Sequence, residues 1–350
     1  MSYQIALSFE DGVTRFVECR PGDTVADASY RVGINIPLDC RDGACGTCKG
    51  FCESGRYDNG DYIEDAMTEE EAAEGYVLAC QMRPQSDCVV RIAATSDVCK
   101  TSVASFAGRI SAIDKLSDTA WSFSLQLEDR GTLAFLPGQY VNILVPGTEQ
   151  KRSYSFSSGP RADEVSFLLR NTPAGALTSY LRTKAEVGAA VTFTGPLGSF
   201  YLREIKRPLL FLAGGTGLAP FLAMLETIEA SGGSPQPIHL VYGVTNEADL
   251  VEVDKLEGFA HKIPGFTFQC CVADEASSYP RKGYVTHHVG PEHLNGGEVD
   301  VYLCGPPAMV DAVRGHMAEK GITPTNFYFE KFANSGVVTA TGETHAAQAA

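Results

Sequence analysis

The sequence predicts a multidomain chain of three unlike modules, in the order α+β, all-β and α/β. Three observations predict it. The rhythm of apolar runs changes twice along the chain, several cysteines crowd one glycine-rich loop near the N-terminus, and two more glycine-rich turns lie far downstream. At 350 residues the chain is too long for one ordinary core, and 44% hydrophobic side chains are enough to pack several.

Charge narrows the function classes. A net charge of −15 argues against nucleic acid, whose phosphates attract stripes of Lys and Arg. It leaves room for a basic protein partner brought in by electrostatic steering. Residues 1–97 hold 18 Asp and Glu against 8 Lys and Arg, a net of −10, so most of the excess lies in the first quarter. No export signal is expected, because residues 1–9 lack a basic region and Glu10-Asp11 interrupt any apolar run. The uncharged run 208–225 raises the question of a membrane span, but Gly214-Gly215-Thr216-Gly217 and Pro220 divide it into strand, turn and helix start. The expectation is a cytoplasmic protein with no membrane contact. Eleven cysteines there should stay reduced, so their spacing reads better as metal ligation than as disulfides.

In the first module, 3–9 and 13–19 read as strands joined around Asp11-Gly12. Asp23 and Thr24 offer a cap for a short helix that Gly33 stops. A glycine-rich loop over 39–50 follows, then an acidic, partly helical stretch over 58–74 and a linker at 95–101. The second module has short β-branched and aromatic runs at 108–113, 121–127, 140–145, 165–169 and 191–194, the rhythm of an antiparallel barrel. The third alternates strands (209–213, 238–242, 266–270, 299–304) with helices (219–229, 308–319), which implies a parallel sheet. Domains are therefore expected at 1–97, 102–203 and 207–333, with 334–350 a disordered tail.

Cys40-x4-Cys45-x2-Cys48, followed by Cys80 after 31 intervening residues, matches the plant-type [2Fe–2S] pattern. Four thiolates and two sulfides concentrate negative charge that backbone N–H groups must stabilise, and Gly43, Ala44, Gly46 and Thr47 let the chain wrap closely. A zinc site is the alternative, although zinc ribbons bring two close pairs rather than three ligands from one loop. Cys52 follows Cys48 in a bacterial-type register, but no second run accompanies it; Cys19, Cys88, Cys99, Cys270 and Cys271 read as small apolar residues.

Pro137-Gly138-Gln139-Tyr140 precedes Arg152-Ser153-Tyr154-Ser155. On a strand, the Arg, the aromatic and the hydroxyl are expected to project to one face and meet a phosphate, a planar ring and a ring nitrogen together. Gly175-Ala176-Leu177-Thr178 looks like a helix start whose free N–H groups suit pyrophosphate. Alone, the four-residue run is equally an ordinary sheet strand. Gly214-Gly215-Thr216-Gly217 follows a strand and opens a helix, as a phosphate-binding turn does, and Cys304-Gly305-Pro306-Pro307 ends another strand.

In this order the motifs resemble the ferredoxin–NADP reductase superfamily with a plant-type ferredoxin fused in front. Within it the chain is similar to the reductase (electron transfer) components of ring-hydroxylating dioxygenases of the benzoate, toluate and anthranilate group, up to about residue 333. The resemblance implies a β-grasp [2Fe–2S] ferredoxin, an antiparallel Greek-key FAD barrel and a parallel-sheet NAD-binding domain. It implies that Arg152 pairs with the FAD pyrophosphate, Tyr154 packs on the isoalloxazine, Ser155 bonds near flavin N5, and Gly175 and Thr178 complete the pyrophosphate site. It places NAD(P)H on Gly214, Gly215, Thr216, Gly217, Gly305 and Pro306, with Cys304 near the nicotinamide; a buried strand cysteine is the plainer alternative. In Phe327-Tyr328-Phe329-Glu330-Lys331-Phe332, Glu330 would lie near hydride transfer and Phe332 would cover the flavin, unless the segment is only a final strand burying aromatics.

The implied route runs from NADH to FAD, to the cluster, and out to a Rieske-type terminal oxygenase. A reductase for a soluble di-iron monooxygenase of phenol or alkane type has the same three modules, and a redox sensor is the reading from another class. Asp58, Asp61, Glu64, Asp65, Glu69, Glu70, Glu71 and Glu74 form either a docking face or a merely solvated one. Cofactor choice follows from charge. Gly243-Val244-Thr245-Asn246-Glu247-Ala248-Asp249 carries no cation for a ribose phosphate and two carboxylates that repel one. Steady-state kinetics should therefore give a higher kcat/KM for NADH than for NADPH, and the reverse order would refute this reading.

Overall fold

The computed structural model describes residues 2–100, 103–172 and 175–332, so the expected tail lies outside the described residues. The N-terminal module contains β1 (Tyr3–Phe9), β2 (Thr14–Cys19), α1 (Val25–Arg31), β3 (Lys49–Ser54), β4 (Tyr57–Asp58), α2 (Glu69–Glu74), β5 (Tyr76–Leu78), β6 (Arg83–Pro84) and β7 (Cys88–Ile92). Five strands form one mixed sheet, ordered β2-β1-β7-β3-β5, in which β1 and β7 run parallel. Ile5, Leu7 and Phe9 alternate inward, as a half-buried strand requires. Thr24 starts α1 by accepting the Asp27 N–H at 3.2 Å, and Thr68 and Glu71 form a reciprocal capping box on α2.

The middle module contains β8 (Ala104–Lys115), β9 (Ala120–Leu127), β10 (Tyr140–Leu144), β11 (Lys151–Ser155), β12 (Val165–Arg170), α3 (Ala176–Thr183) and β13 (Ala190–Leu197). The strands pair antiparallel in the order β11-β10-β13-β8-β9-β12. A bridge between Phe156, just past β11, and Phe167 of β12 brings the two edges together and closes the sheet on itself.

The C-terminal module contains β14 (Leu209–Gly214), α4 (Ala219–Ala230), β15 (Ile238–Val244), α5 (Val253–Lys262), β16 (Phe266–Val272), α6 (Pro291–Leu294), β17 (Asp300–Gly305), α7 (Pro307–Glu319) and β18 (Asn326–Lys331). All neighbours in β16-β15-β14-β17-β18 are parallel, and the central strands β14 and β17 are buried along their whole length. Sequence patterning did not anticipate α5, whose charged face and Gly258 mask its apolar stripe of Leu256 and Phe259. Among the described residues no helix is long and apolar enough to cross a membrane.

The modules are joined in two physically different ways. The middle and C-terminal modules share one apolar core: Ala120, Leu168 and Phe200 pack with Phe211, Phe221 and Tyr302. The N-terminal module keeps a core of its own and attaches through polar contacts. Arg203 is the densest of these. Its guanidinium bonds Glu10 (3.1 and 3.2 Å) and the Ala93 carbonyl (3.3 Å) of the first module, and the Ser199 and Tyr201 carbonyls (2.7 and 2.8 Å) of the second. The same group lies 3.6 Å from the ring centre of Tyr201 and 4.3 Å from that of Tyr328 in the third. Its backbone N–H donates to the Tyr302 hydroxyl at 3.0 Å.

A second tie contradicts part of the simple acidic-face picture. Glu71 accepts from Lys49 at 2.7 Å and from Arg314 of α7 at 3.2 Å, so it spans two modules and is not free for an outside partner. The segment expected as a linker is also held: the Thr95 N–H donates to the Tyr201 hydroxyl, and Cys99 is buried in the first core. Removing the Arg203 side chain should cost about 1–3 kcal/mol of assembled stability, because its nearly enclosed guanidinium carries the hydrogen bonds that join the modules, while Glu10 itself stays open to water. Calorimetry of Arg203→Ala should then show an early transition, absent from the wild type, as the N-terminal module undocks first.

Candidate functional site

The cysteine loop is shaped by backbone that few residues could replace. Gly43 has φ +81°, and a Cβ there would stand 2.2 Å from the Asp61 carbonyl oxygen. Cys40 is half-buried, Cys45 exposed, and Cys48 and Cys80 buried. The Cys45 N–H donates to the Cys40 sulfur at 3.3 Å, the kind of donor a charged thiolate needs. Cys40 lies in side-chain contact with Cys45 and Cys80, and Cys48 with Cys80. Among the described residues no three His, Cys, Asp or Glu side chains surround a point where one metal ion could sit. Linked thiol pairs fit the longer body of a two-iron cluster better than a tetrahedral zinc ion.

On β11, strand geometry corrects one expectation. Arg152 and Tyr154 are two residues apart and share a face, but Ser155 lies an odd number of residues from Arg152 and turns to the other. That second face carries Ser153, bonded to Asn142, and Ser155, whose hydroxyl donates to Glu330 at 3.1 Å. Tyr154 packs against the barrel core, and burial pushes its phenol up to about 12, with Arg152 acting the other way. The Arg152 guanidinium bonds Gln150 at 2.9 Å and the Lys151 carbonyl at 2.7 Å. Gly175 is the N-cap of α3 and supplies no side-chain acceptor, which leaves the first N–H groups of that helix available; buried Thr178 bonds the Gly175 carbonyl at 3.2 Å.

The two nucleotide turns meet at the C-terminal edge of the parallel sheet, where α/β folds bind ligands. Gly217 lies directly on the Cys304 carbonyl, since a Cβ there would come within 2.3 Å of it. Glu330 on β18 is the register partner of Cys304 on β17, and the Phe332 N–H donates to the Gly305 carbonyl at 3.1 Å. Burial, and then the neighbouring Glu330 carboxyl, holds the Cys304 thiol well above the ordinary range. Burial pushes Glu330 itself up to about 8, with the Ser155 hydroxyl pulling it back and the Asp39 carboxylate adding to the rise. Ser155, Cys304 and Glu330 thus come together from strands of two modules. On β15's far side, Glu247 accepts from Ser277 at 3.0 Å, and Asp249 bonds Thr119 and Asn246, which keeps both carboxylates in place.

Comparison with known proteins follows this geometry module by module. Residues 8–85 match the 2Fe-2S iron-sulfur cluster binding domain, 107–201 the oxidoreductase FAD-binding domain, and 211–315 the oxidoreductase NAD-binding domain. The toluate 1,2-dioxygenase electron transfer component of Pseudomonas putida is 60% identical over 96% of this chain and 100% of its own length. The 2-halobenzoate 1,2-dioxygenase electron transfer component of Burkholderia cepacia is 50% identical over 95% and 98%. The chain belongs to the family of 1,2-dioxygenase electron transfer components. Like other members it is an oxidoreductase built for a 2Fe–2S cluster, FAD and NAD. Among solved structures, the Amycolatopsis cytochrome P450 reductase GcoB covers 95% of the chain and all of its own at 32% identity, with a TM-score of 0.70.

Two side chains at this electron transfer site, Asp39 and Asn142, were given no role from sequence. With Tyr140 they line the place where the cysteine loop meets the barrel. Their adjacency to Cys40 and to the Pro-Gly-Gln run was the only available signal. The raised Glu330 carboxyl also sets a pH dependence. The folded chain keeps a proton that the unfolded chain releases, so the stability linked to this group is full below about 4.5 and is lost as pH rises through about 8. Glu330→Gln, neutral at every pH, should flatten that loss. Thermal melts should show the wild type losing more Tm than the variant between about pH 4.5 and about pH 8.

Proposed function

We propose that the chain is an NADH-dependent reductase that passes electrons through FAD and the cluster to the terminal oxygenase of an aromatic-ring, benzoate-like dioxygenase system. One observation carries it: Ser155, Glu330 and Cys304 converge at the end of the nucleotide sheet, while the cysteine loop is bonded to the same barrel strands. The flavin, when bound, exchanges a hydride for single electrons, which a nicotinamide and an iron–sulfur centre cannot do between themselves.

The chain's own residues supply binding and placement. Arg152 and the first turn of α3, with Gly175 and Thr178, would hold the flavin pyrophosphate, and Tyr154 its ring. Gly214, Gly215, Thr216 and Gly217 would cradle the dinucleotide, with Gly305 and Pro306 closing the other side. Cys304, kept protonated by burial, gives a neutral, dry wall beside the nicotinamide. Ser155 would sit at flavin N5, and Glu330, held protonated by burial, can give a proton through that hydroxyl and take one back once it is ionised. Phe332 would cover the ring until dinucleotide arrives. Cys40, Cys45, Cys48 and Cys80 would hold the cluster. Glu247 and Asp249 favour NADH by repelling a ribose phosphate.

The partner is inferred to be a Rieske-type oxygenase, and the compartment the cytoplasm, where cysteines that hold no metal stay reduced. Full-length identity to two ring-dioxygenase components supports this over a di-iron monooxygenase partner. Reconstitution decides between them. With NADH and this chain, a purified Rieske-type benzoate-class oxygenase should form its diol product while a di-iron hydroxylase should not turn over. Sustained NADH-driven reduction of cytochrome c would count against a sensor. Turnover with the oxygenase should also slow as salt rises, if Asp58, Asp61, Glu64, Asp65, Glu69, Glu70 and Glu74 steer docking; a flat profile removes that role.

A further inference from the structure

The N-terminal module docks through polar contacts, and one group of them lies at the cysteine loop itself. Asn142 of β10 donates from Nδ2 to Asp39 Oδ1 at 2.8 Å, and Asp39 immediately precedes Cys40. Asn142 Oδ1 in turn accepts from Ser153 Oγ of β11 at 2.7 Å. Both ends of one amide are therefore used, one on each module, which fixes its orientation. Two residues away on the same face, buried Tyr140 places its phenol beside Asp39 and Thr47. Thr47 immediately precedes Cys48, and its carbonyl accepts from Ser199 Oγ at 3.3 Å. The residues before Cys40 and before Cys48 are thus both tied to the barrel.

The alternation along β10 makes these contacts specific. Val141 and Ile143 point into the barrel core, so Tyr140 and Asn142 point outward, where a barrel strand ordinarily meets water. Here they meet the cysteine loop. The strand on the far side of β10's register, β11, presents Arg152, Tyr154 and Ser155. One pair of strands therefore carries the flavin residues on one edge and the loop contacts on its outer face.

We propose that the Asp39–Asn142–Ser153 seam, together with Tyr140, is a positioning element that holds the cluster loop at the flavin strands and so sets the rate of electron passage between the two modules. This rests on the function proposed above and adds the residues that govern its internal step. Electron passage slows as the gap between two centres widens, and these four side chains bridge the loop and the barrel at that gap.

The test exchanges the seam's partners. Asn142→Asp sets carboxylate against carboxylate; adding Asp39→Asn restores one donor facing one acceptor and keeps the Ser153 bond. All proteins are compared as holoenzyme at matched iron and flavin content. In Asn142→Asp, NADH-driven reduction of ferricyanide, which draws on the flavin, should stay within about twofold of wild type. Reduction of cytochrome c, and bleaching of the cluster in stopped flow, should fall well beyond that margin. Hydrogen exchange across residues 38–48 should rise in Asn142→Asp, and the double variant should recover both exchange and rate. Unchanged cytochrome c reduction and exchange in Asn142→Asp would overturn the proposal. So would an equal fall with both acceptors, or a double variant that recovers neither. A wild-type chain that binds no iron, by contrast, would sink the proposed function, and iron analysis tells that outcome apart.

Discussion

One guanidinium sits where all three modules meet. Arg203 is nearly enclosed by protein, and a charge so placed is tolerable only when carboxylate, carbonyls and aromatic faces surround it together. Glu10 comes from the first module, Tyr201 from the second, and Tyr328 from the third. None of these alone would offset the loss of water around the charge. The side chain therefore favours the assembled arrangement over any partly docked one, and the shorter-range contacts at the cysteine loop operate within the geometry that it maintains.

The division between apolar and polar joints maps onto the division of chemistry. Hydride transfer needs two ring systems held in close, dry contact, and the barrel and nucleotide sheet share a continuous core beneath that place. Single electrons tolerate a polar gap, and the module that would receive them is attached by hydrogen bonds and ion pairs. Glu71 belongs to this second kind of joint. It looked like one more acidic surface residue, yet it is the acceptor that links Lys49 to Arg314.

Much of the architecture was legible because its signals are local. The cysteine spacing, the Thr24 cap, the switch from short strands to strand–helix alternation and the glycine turns all act within a few residues. What escaped depends on distance along the chain. Asp39 and Asn142 are separated by 103 residues, Glu10 and Arg203 by 193, and Glu71 and Arg314 by 243, and no periodicity announces such pairs. Helix α5 was hidden by its own charge and glycine. The single-face reading of Arg152, Tyr154 and Ser155 failed on the parity of the pleat, which sends an odd step to the opposite side.

The contrast between the two kinds of joint also bears on how such a chain can change over generations. Modules that share a core must alter together, because each buried side chain is the neighbour of another across the boundary. A module held by a few hydrogen bonds and ion pairs is under no such obligation. It can be fused, lost or exchanged by remaking a handful of surface residues, which leaves the flavin–nucleotide body intact as a stock to which different electron carriers are grafted.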